Sequence, residues 1–311
     1  MAKLSRDILY AGVLGTAIGD ALGVPVEFME RETLKKNPVT DMIGYGTGNV
    51  PAGTWSDDTS MMLATVDGLN KAGYNFDGGT VNKSHKACEI IACNFVDWFV
   101  SGEFAVDHNR FDCGNTCGRA IHKMLQGYNI DDCGVTDEDA QGNGSLMRIF
   151  PAVFCEDDCT LRISRMTHNN DMCDSATMMF KHIMLEIINS ADKRMSKQDI
   201  ITKALDSVSE KYMINLFGEH SAEIAKIPEE EIGSSGYVVD TLKASIWCFV
   251  TTDSYSECVL KAVNLGKDTD TTAAVAGCLA AVYYGVNSIP EKWITMLNDI
   301  DLIERLCYNK K

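Results

Sequence analysis

The sequence predicts an all-α protein: a single compact multi-helix domain over residues 1–311. Three observations lead there. Apolar residues recur at spacings of three and four along most of the chain, convincing alternating strands are missing, and only 6 prolines interrupt 311 residues. No internal repeat or low-complexity linker divides the chain.

The first helix is expected over ILYAGVLGTAIGDAL (8–22). The glycines of GTAIGDALG permit close helix packing or a tight turn, and Pro25 ends the helix, leaving Glu27 in the loop beyond. Residues 36 to 57, rich in Gly, Pro and Asn, read as a long loop. Helices follow at SMMLATVDGL (60–69) and HKACEIIACNFVDWFV (85–100). From 102 to 148 Asp, Gly and Asn dominate, with one short helical piece around 116–127. Helical spacing then resumes at 175–189, 197–212, 241–250, 256–266 and 271–285, and the last helix is expected to run unbroken over 291–307. Loops longer than about 15 residues inside a compact domain are usually functional, so 36–57 and 102–148 frame a candidate site.

Composition narrows the function classes. With 45% hydrophobic residues the chain can bury a sizeable core. Its formal net charge of -16 and pI of about 4.7 are unsuited to nucleic acid, which needs a basic surface to displace counterions. There are 12 cysteines but no CxxC pair; several (Cys88, Cys93, Cys248, Cys278) sit in apolar helical runs, where a free thiol acts as a small hydrophobe. The start, MAKLSRDILYAGVLG, lacks signal-peptide character, and no run approaches the roughly 18 apolar residues of a membrane span. A monomer in a reducing cytoplasm, with no membrane attachment, is the expected setting.

Two stretches carry the chemistry. In GTWSDDTSMML (53–63), Asp57 and Asp58 sit side by side where a helix is about to begin. One acid there is an ordinary N-cap, and capping is the bland account of the pair. LGKDTDTTAAVAG (265–277) repeats the arrangement: Asp268, Thr269, Asp270, Thr271 and Thr272 are five consecutive oxygen-bearing side chains before a small-residue helix. Four carboxylates brought together without counter-charge repel, and a divalent cation removes the difficulty. Mg²⁺, Mn²⁺ or Ca²⁺ takes such oxygens, and four acids are enough for two ions. The EF-hand spacing is absent, and neither cluster has the Cys or His that zinc prefers.

GDALGVPVE, WSDDTSM, NGSLMRIFP and DTDTTAAVAG, in that order, resemble the ADP-ribosylglycohydrolases, from about Gly12 to Gly285. The resemblance implies an all-helical enzyme with two Mg²⁺ or Mn²⁺ ions at the bottom of a cleft. It would cleave the bond between the anomeric carbon of ADP-ribose and an acceptor on a protein or small molecule. It implies metal ligands at Ser56, Asp57, Asp58, Asp268, Asp270 and Thr271, with Asp270 bridging both ions. Catalytic roles fall on Glu27, Asp57 and Asp270. Asn143, Gly144 and Ser145 match a loop that meets ADP-ribose, and His168 a residue lining the same pocket. Gly114, Asn115 and Thr116 resemble another cleft loop, and Tyr237 would flank the adenine. Ser56 stands where many relatives carry Thr, and Lys267 where Gly is common. Arginine is the expected acceptor; serine-linked or small-molecule conjugates, a modified nucleic-acid end, and a non-catalytic ADP-ribose binder remain alternatives. Nothing resembles GxSxG, so no serine nucleophile is expected.

Overall fold

Three glycines spaced one helical turn apart, Gly15, Gly19 and Gly23, decide how the chain is assembled. The computed structural model describes residues 4–77, 84–190, 195–220 and 223–310. Among these, thirteen α-helices follow in order: α1 (Arg6–Gly23), α2 (Arg31–Lys36), α3 (Asp57–Lys71), α4 (Ser84–Ser101), α5 (Asn115–Leu125), α6 (Asp157–Arg165), α7 (Asp171–Asn189), α8 (Lys197–Asp206), α9 (Val238–Val250), α10 (Tyr255–Val263), α11 (Thr269–Tyr284), α12 (Glu291–Met296) and α13 (Ile300–Tyr308). There is no strand among the described residues; isolated bridges Tyr45–Val50, Val135–His168 and Gly142–Tyr237 tie loops together.

α1 and α11 touch backbone to backbone along the glycine stripe. A Cβ on Gly15 would stand 2.5 Å from the Gly277 carbonyl oxygen, and one on Gly19 only 2.1 Å from that of Ala273. One on Gly23 would lie 2.4 Å from the Asp270 Cα. Hydrogen bonds fix the seam: Tyr255 Oη donates to the Gly15 carbonyl at 2.8 Å, and Thr269 Oγ1 to that of Gly23 at 2.8 Å. α11 is buried at every residue from Thr269 to Ala281, walled by α1, α9 and α10. A helix apolar all round belongs in the centre of a core. That core is continuous from Leu9 to Cys307.

Several expectations need correction. α1 with the turn after it, Arg6–Val26, is long and apolar enough to cross a membrane, with a mean hydropathy of 1.4, although the sequence reading found no such run. Of that window 89% is buried in the protein's own interior, so it is the central core helix. α2 and α6 were not expected. The final run breaks: Leu297 is extended and Asp299 left-handed at φ 48°. Tertiary bonds explain the break, because Asn298 N donates to the Gly53 carbonyl at 3.0 Å and its side chain to Ala52 O and Thr54 Oγ1. Gly53 itself has φ 81° and passes so near the Met296 carbonyl that only hydrogen fits on its Cα. The helix expected over 197–212 ends at Asp206, and a single 3₁₀ turn follows at Glu210–Tyr212. All twelve cysteines are free.

Candidate active site

The start of α3 is held by a residue from another helix. Asp20, fully buried in α1, accepts from Ser56 N at 3.0 Å, from Thr59 N at 3.1 Å and from Thr59 Oγ1 at 2.6 Å. Ser56 is the local N-cap, its Oγ accepting from Asp58 N at 3.3 Å. Capping is therefore done by Asp20 and Ser56, and the paired acids are left for other work. Asp57 Oδ2 accepts from Gly114 N at 3.2 Å, joining the 112–116 loop to the pair. Asp58 Oδ2 accepts from Ser56 Oγ at 3.1 Å and from Thr271 Oγ1 at 3.3 Å, which brings the two acidic turns into direct contact.

Asp268 occupies the N-cap position of α11 without capping it. Its Oδ2 instead accepts from Asn143 Nδ2 at 2.9 Å, and the same Asn143 amide donates to Thr241 Oγ1 at 2.8 Å. Two carboxylate trios result. Oxygens of Asp20, Asp58 and Asp270 lie within 4.8 Å of one another, as do those of Glu27, Asp112 and Asp270. Asp270, placed by the Gly23 contact, belongs to both.

Electrostatics here is dominated by burial. It pushes Asp20 up to about 6, Asp57 to about 7 and Glu27 to about 9, and holds Asp58 and Asp270 well above the ordinary carboxylate range. Mutual repulsion adds to it: Asp112 acts on Glu27 and Asp57, Asp20 on Asp58, and Glu27 on Asp270. No lysine or arginine lines the cleft among the described residues. Two buried carboxylate oxygens, Asp58 Oδ1 and Asp268 Oδ1, have no hydrogen-bond partner. Unpartnered buried acceptors and an all-oxygen donor set fit a hard divalent cation.

The cleft above this floor encloses about 340 Å³. Glu27, Asp57, Asp58, Asp268, Asp270 and Thr271 line it, together with Gly114, Asn115, Thr116, Asn143, Gly144 and His168. Three predicted residues stand back. Ser56 is buried behind Asp58, Ser145 is fully buried with its hydroxyl unpartnered, and Tyr237 is at the edge, 37% exposed, beside the lining Gly236. His168 is buried, its Nδ1 2.8 Å from Thr167 Oγ1, and burial with nearby Arg148 lowers its pKa to about 3, so the ring is neutral. It fixes the wall: a Cβ on Gly144 would stand 2.9 Å from its Cε1 and 2.8 Å from Cys117 Sγ. Arg148 is a core brace, donating to Thr167 Oγ1 and to Ile163 O under the Phe95 ring. Asp20 and Asp112 were not among the expected site residues, and each completes one of the two carboxylate trios. The Glu27 segment is locked by Phe28 N donating to Lys267 O at 2.6 Å and Lys267 N to Met29 O at 2.7 Å, with Phe28 at φ 64° and 70% exposed at the mouth.

Comparison with known proteins agrees with this architecture. A family model described as ADP-ribosylglycohydrolase matches residues 1–310. An ADP-ribosylarginine hydrolase Tri1 of Pseudomonas putida is 33% identical over 295 residues, covering 93% of this chain and 73% of its own length. An ADP-ribosyl-[dinitrogen reductase] glycohydrolase of Rhodospirillum rubrum is 29% identical over 305 residues, covering 94% and 91%. Among solved structures, an ADP-ribosylglycohydrolase-related protein complex superposes with a TM-score of 0.75 at 26% identity, covering 97% of this chain and 96% of that one.

Proposed function

The chain belongs to the ADP-ribosylglycohydrolase family, an enzyme hydrolysing ADP-ribose glycosidic bonds, and from that premise we propose that it frees ADP-ribose from modified arginine side chains using two Mg²⁺ or Mn²⁺ ions. The observation that carries the metal assignment is the shared carboxylate: Asp270 lies in both acidic trios, the buried one at the cleft floor and the half-buried one that opens toward the mouth. Asp57, Asp58, Asp268, Asp270 and Thr271 would hold the ions, with Ser56 bracing Asp58 from behind instead of reaching them. When bound, such ions supply Lewis acidity toward ribose hydroxyls and water.

The rest is done by the chain itself. Hydrolysis at an anomeric carbon passes through a cationic, oxocarbenium-like sugar, which the surrounding carboxylates stabilise electrostatically. Asp57 and Asp270 orient the attacking water, and Glu27, beside Asp112 at the mouth, orients the substrate or carries the proton of the departing acceptor nitrogen. Gly144, with no side chain and a wall of His168 and Cys117 behind it, lets its backbone approach the phosphates. Asn143 is held in one orientation by Asp268 and Thr241 to meet the ribose side of the ligand. The preference for arginine follows the Pseudomonas putida relative, and the acidic, aromatic mouth of Glu27, Asp112 and Phe28 suits a guanidinium. Twelve free thiols fit a reducing compartment, and a monomer in the cytoplasm is the setting proposed.

The test is release of ADP-ribose from arginine-linked and serine-linked peptides with Mg²⁺, with Mn²⁺, with EDTA, and with the Asp57→Ala/Asp270→Ala variant. Metal-dependent release from the arginine peptide, lost in the variant, supports the assignment. Release from the serine peptide alone moves the acceptor to an oxygen linkage. Release that survives EDTA sinks the metal role.

A further inference from the structure

A helix that begins in the acidic cleft runs on into a basic groove, on a protein whose formal net charge is -16. The first residues of α5, Asn115 and Thr116, line the cleft. The next turns present Arg119, His122 and Lys123, which with Arg110 line a shallow groove of about 620 Å³ over Phe99. The two depressions share Cys113, Gly114 and Asn115, so the groove continues the cleft mouth. No acidic side chain lines it. Arg119 is paired with Asp137 at 2.5 Å, whereas Arg110 and Lys123 have no carboxylate within 4.0 Å among the described residues. Arg110 lies 4.5 Å over the Phe99 ring, an orientation that keeps its charge beside the groove floor.

We propose that this groove is a docking surface for the polypeptide part of the substrate, taking acidic side chains a few residues from the ADP-ribosylated one. The proposal rests on the reading that the enzyme acts on modified protein arginines. Spacing supports it. At about 1.5 Å rise per residue, Asn115 to Lys123 spans roughly 12 Å, which an extended chain at about 3.3 Å per residue crosses in about four residues. Charge supports it too. An acidic segment is repelled by most of this surface, so the basic groove would set both its register and its direction into the cleft. A long polyanion fits less well, because it would overrun the groove into the acidic cleft at one end, on a protein of net charge -16.

The experiment compares kcat/KM for arginine-ADP-ribosylated peptides with Asp and Glu flanks, peptides with Ser flanks, and free ADP-ribosylarginine. Acidic flanks are expected to raise kcat/KM about tenfold, through KM and in a salt-sensitive way, as several exposed ion pairs together would do. Arg119→Glu/Lys123→Glu should abolish that advantage and leave free ADP-ribosylarginine turnover unchanged. Lys123→Gln, too mild to unfold the helix, should remove part of it. Equal kcat/KM for both flanks in the wild type overturns the proposal, as does a variant that slows free ADP-ribosylarginine equally. Fluorescence anisotropy with the unmodified acidic peptide separates this from the activity reading. If no substrate is turned over, the activity reading fails. In that case salt-sensitive peptide binding weakened by Lys123→Gln still upholds the groove, and absence of binding overturns it. Tighter binding of a single-stranded oligonucleotide overturns it in favour of nucleic acid.

Discussion

Asp20 does the most for its size. Its carboxylate satisfies the backbone N–H groups of Ser56 and Thr59 and the Thr59 hydroxyl, so the position of Asp57 and Asp58 depends on a residue some 36 positions earlier. Asp20→Ala strands those buried donors, and urea unfolding should show a loss of about 2–4 kcal/mol. A loss below about 0.5 kcal/mol, the scale of an ordinary surface change, would mean that the latch is dispensable. Gly144→Ala tests the phosphate wall. Its methyl would press on His168 and Cys117, so ADP-ribose affinity measured by calorimetry should fall about tenfold, while the thermal shift on adding Mn²⁺ stays as in the wild type. Four site acids were legible because pairs of them precede helices with more oxygen than a cap can use. Asp20 and Asp112 were not, because each is a single acid whose ordinary reading is surface or cap. Only the folded chain shows Asp112 beside Glu27 and Asp270.

Among the elements, the α1–α11 seam is the one that sets the active-site geometry. Gly19→Ala would thrust a methyl to within 2.1 Å of the Ala273 carbonyl oxygen. A gain in helix propensity of about 1 kcal/mol works against this, but the overpacking should leave a net loss of about 1–3 kcal/mol in thermal unfolding. Divalent-ion affinity should drop in the same variant, because α11 carries Asp270. Unchanged stability and affinity would show that the helices can part without disturbing the floor. The stripe GTAIGDALG signalled close packing in the sequence, though not its partner. Strongly periodic helices were legible for the same reason, since each has a face to bury. α6 was not, because its DDCTLRISR offers too few apolar residues. The break at Leu297–Asp299 was not either, because hydrogen bonds from Asn298 to a loop far away in sequence override a good helical pattern.

At the scale of the whole molecule, the buried acids make stability depend on pH in an unusual sense. Asp20, Asp57 and Glu27 have folded-state pKa values of about 6, 7 and 9, above their ordinary 3.8, 3.8 and 4.5. The folded protein therefore holds more protons than the unfolded chain between about pH 4 and pH 9. Without metal, stability should be highest near the acid end of that window and decline as pH rises through it, and differential scanning calorimetry in EDTA would follow the fall in Tm. Adding Mg²⁺ should flatten the decline, with the largest rise in Tm at the alkaline end. A Tm that climbs with pH in EDTA would contradict the raised values. The seam between Gly15 and Gly277 also bears on how the protein is made. On the ribosome, at about 5–20 residues per second, the first helix emerges and then waits roughly 13–50 seconds for the segment that covers its glycine face. Through that interval the glycine face of α1, a helix long and apolar enough to cross a membrane, lacks its native cover, which makes it a natural client of a chaperone. A product cut short before residue 268 would carry Asp57 and Asp58 but neither acid of the second turn.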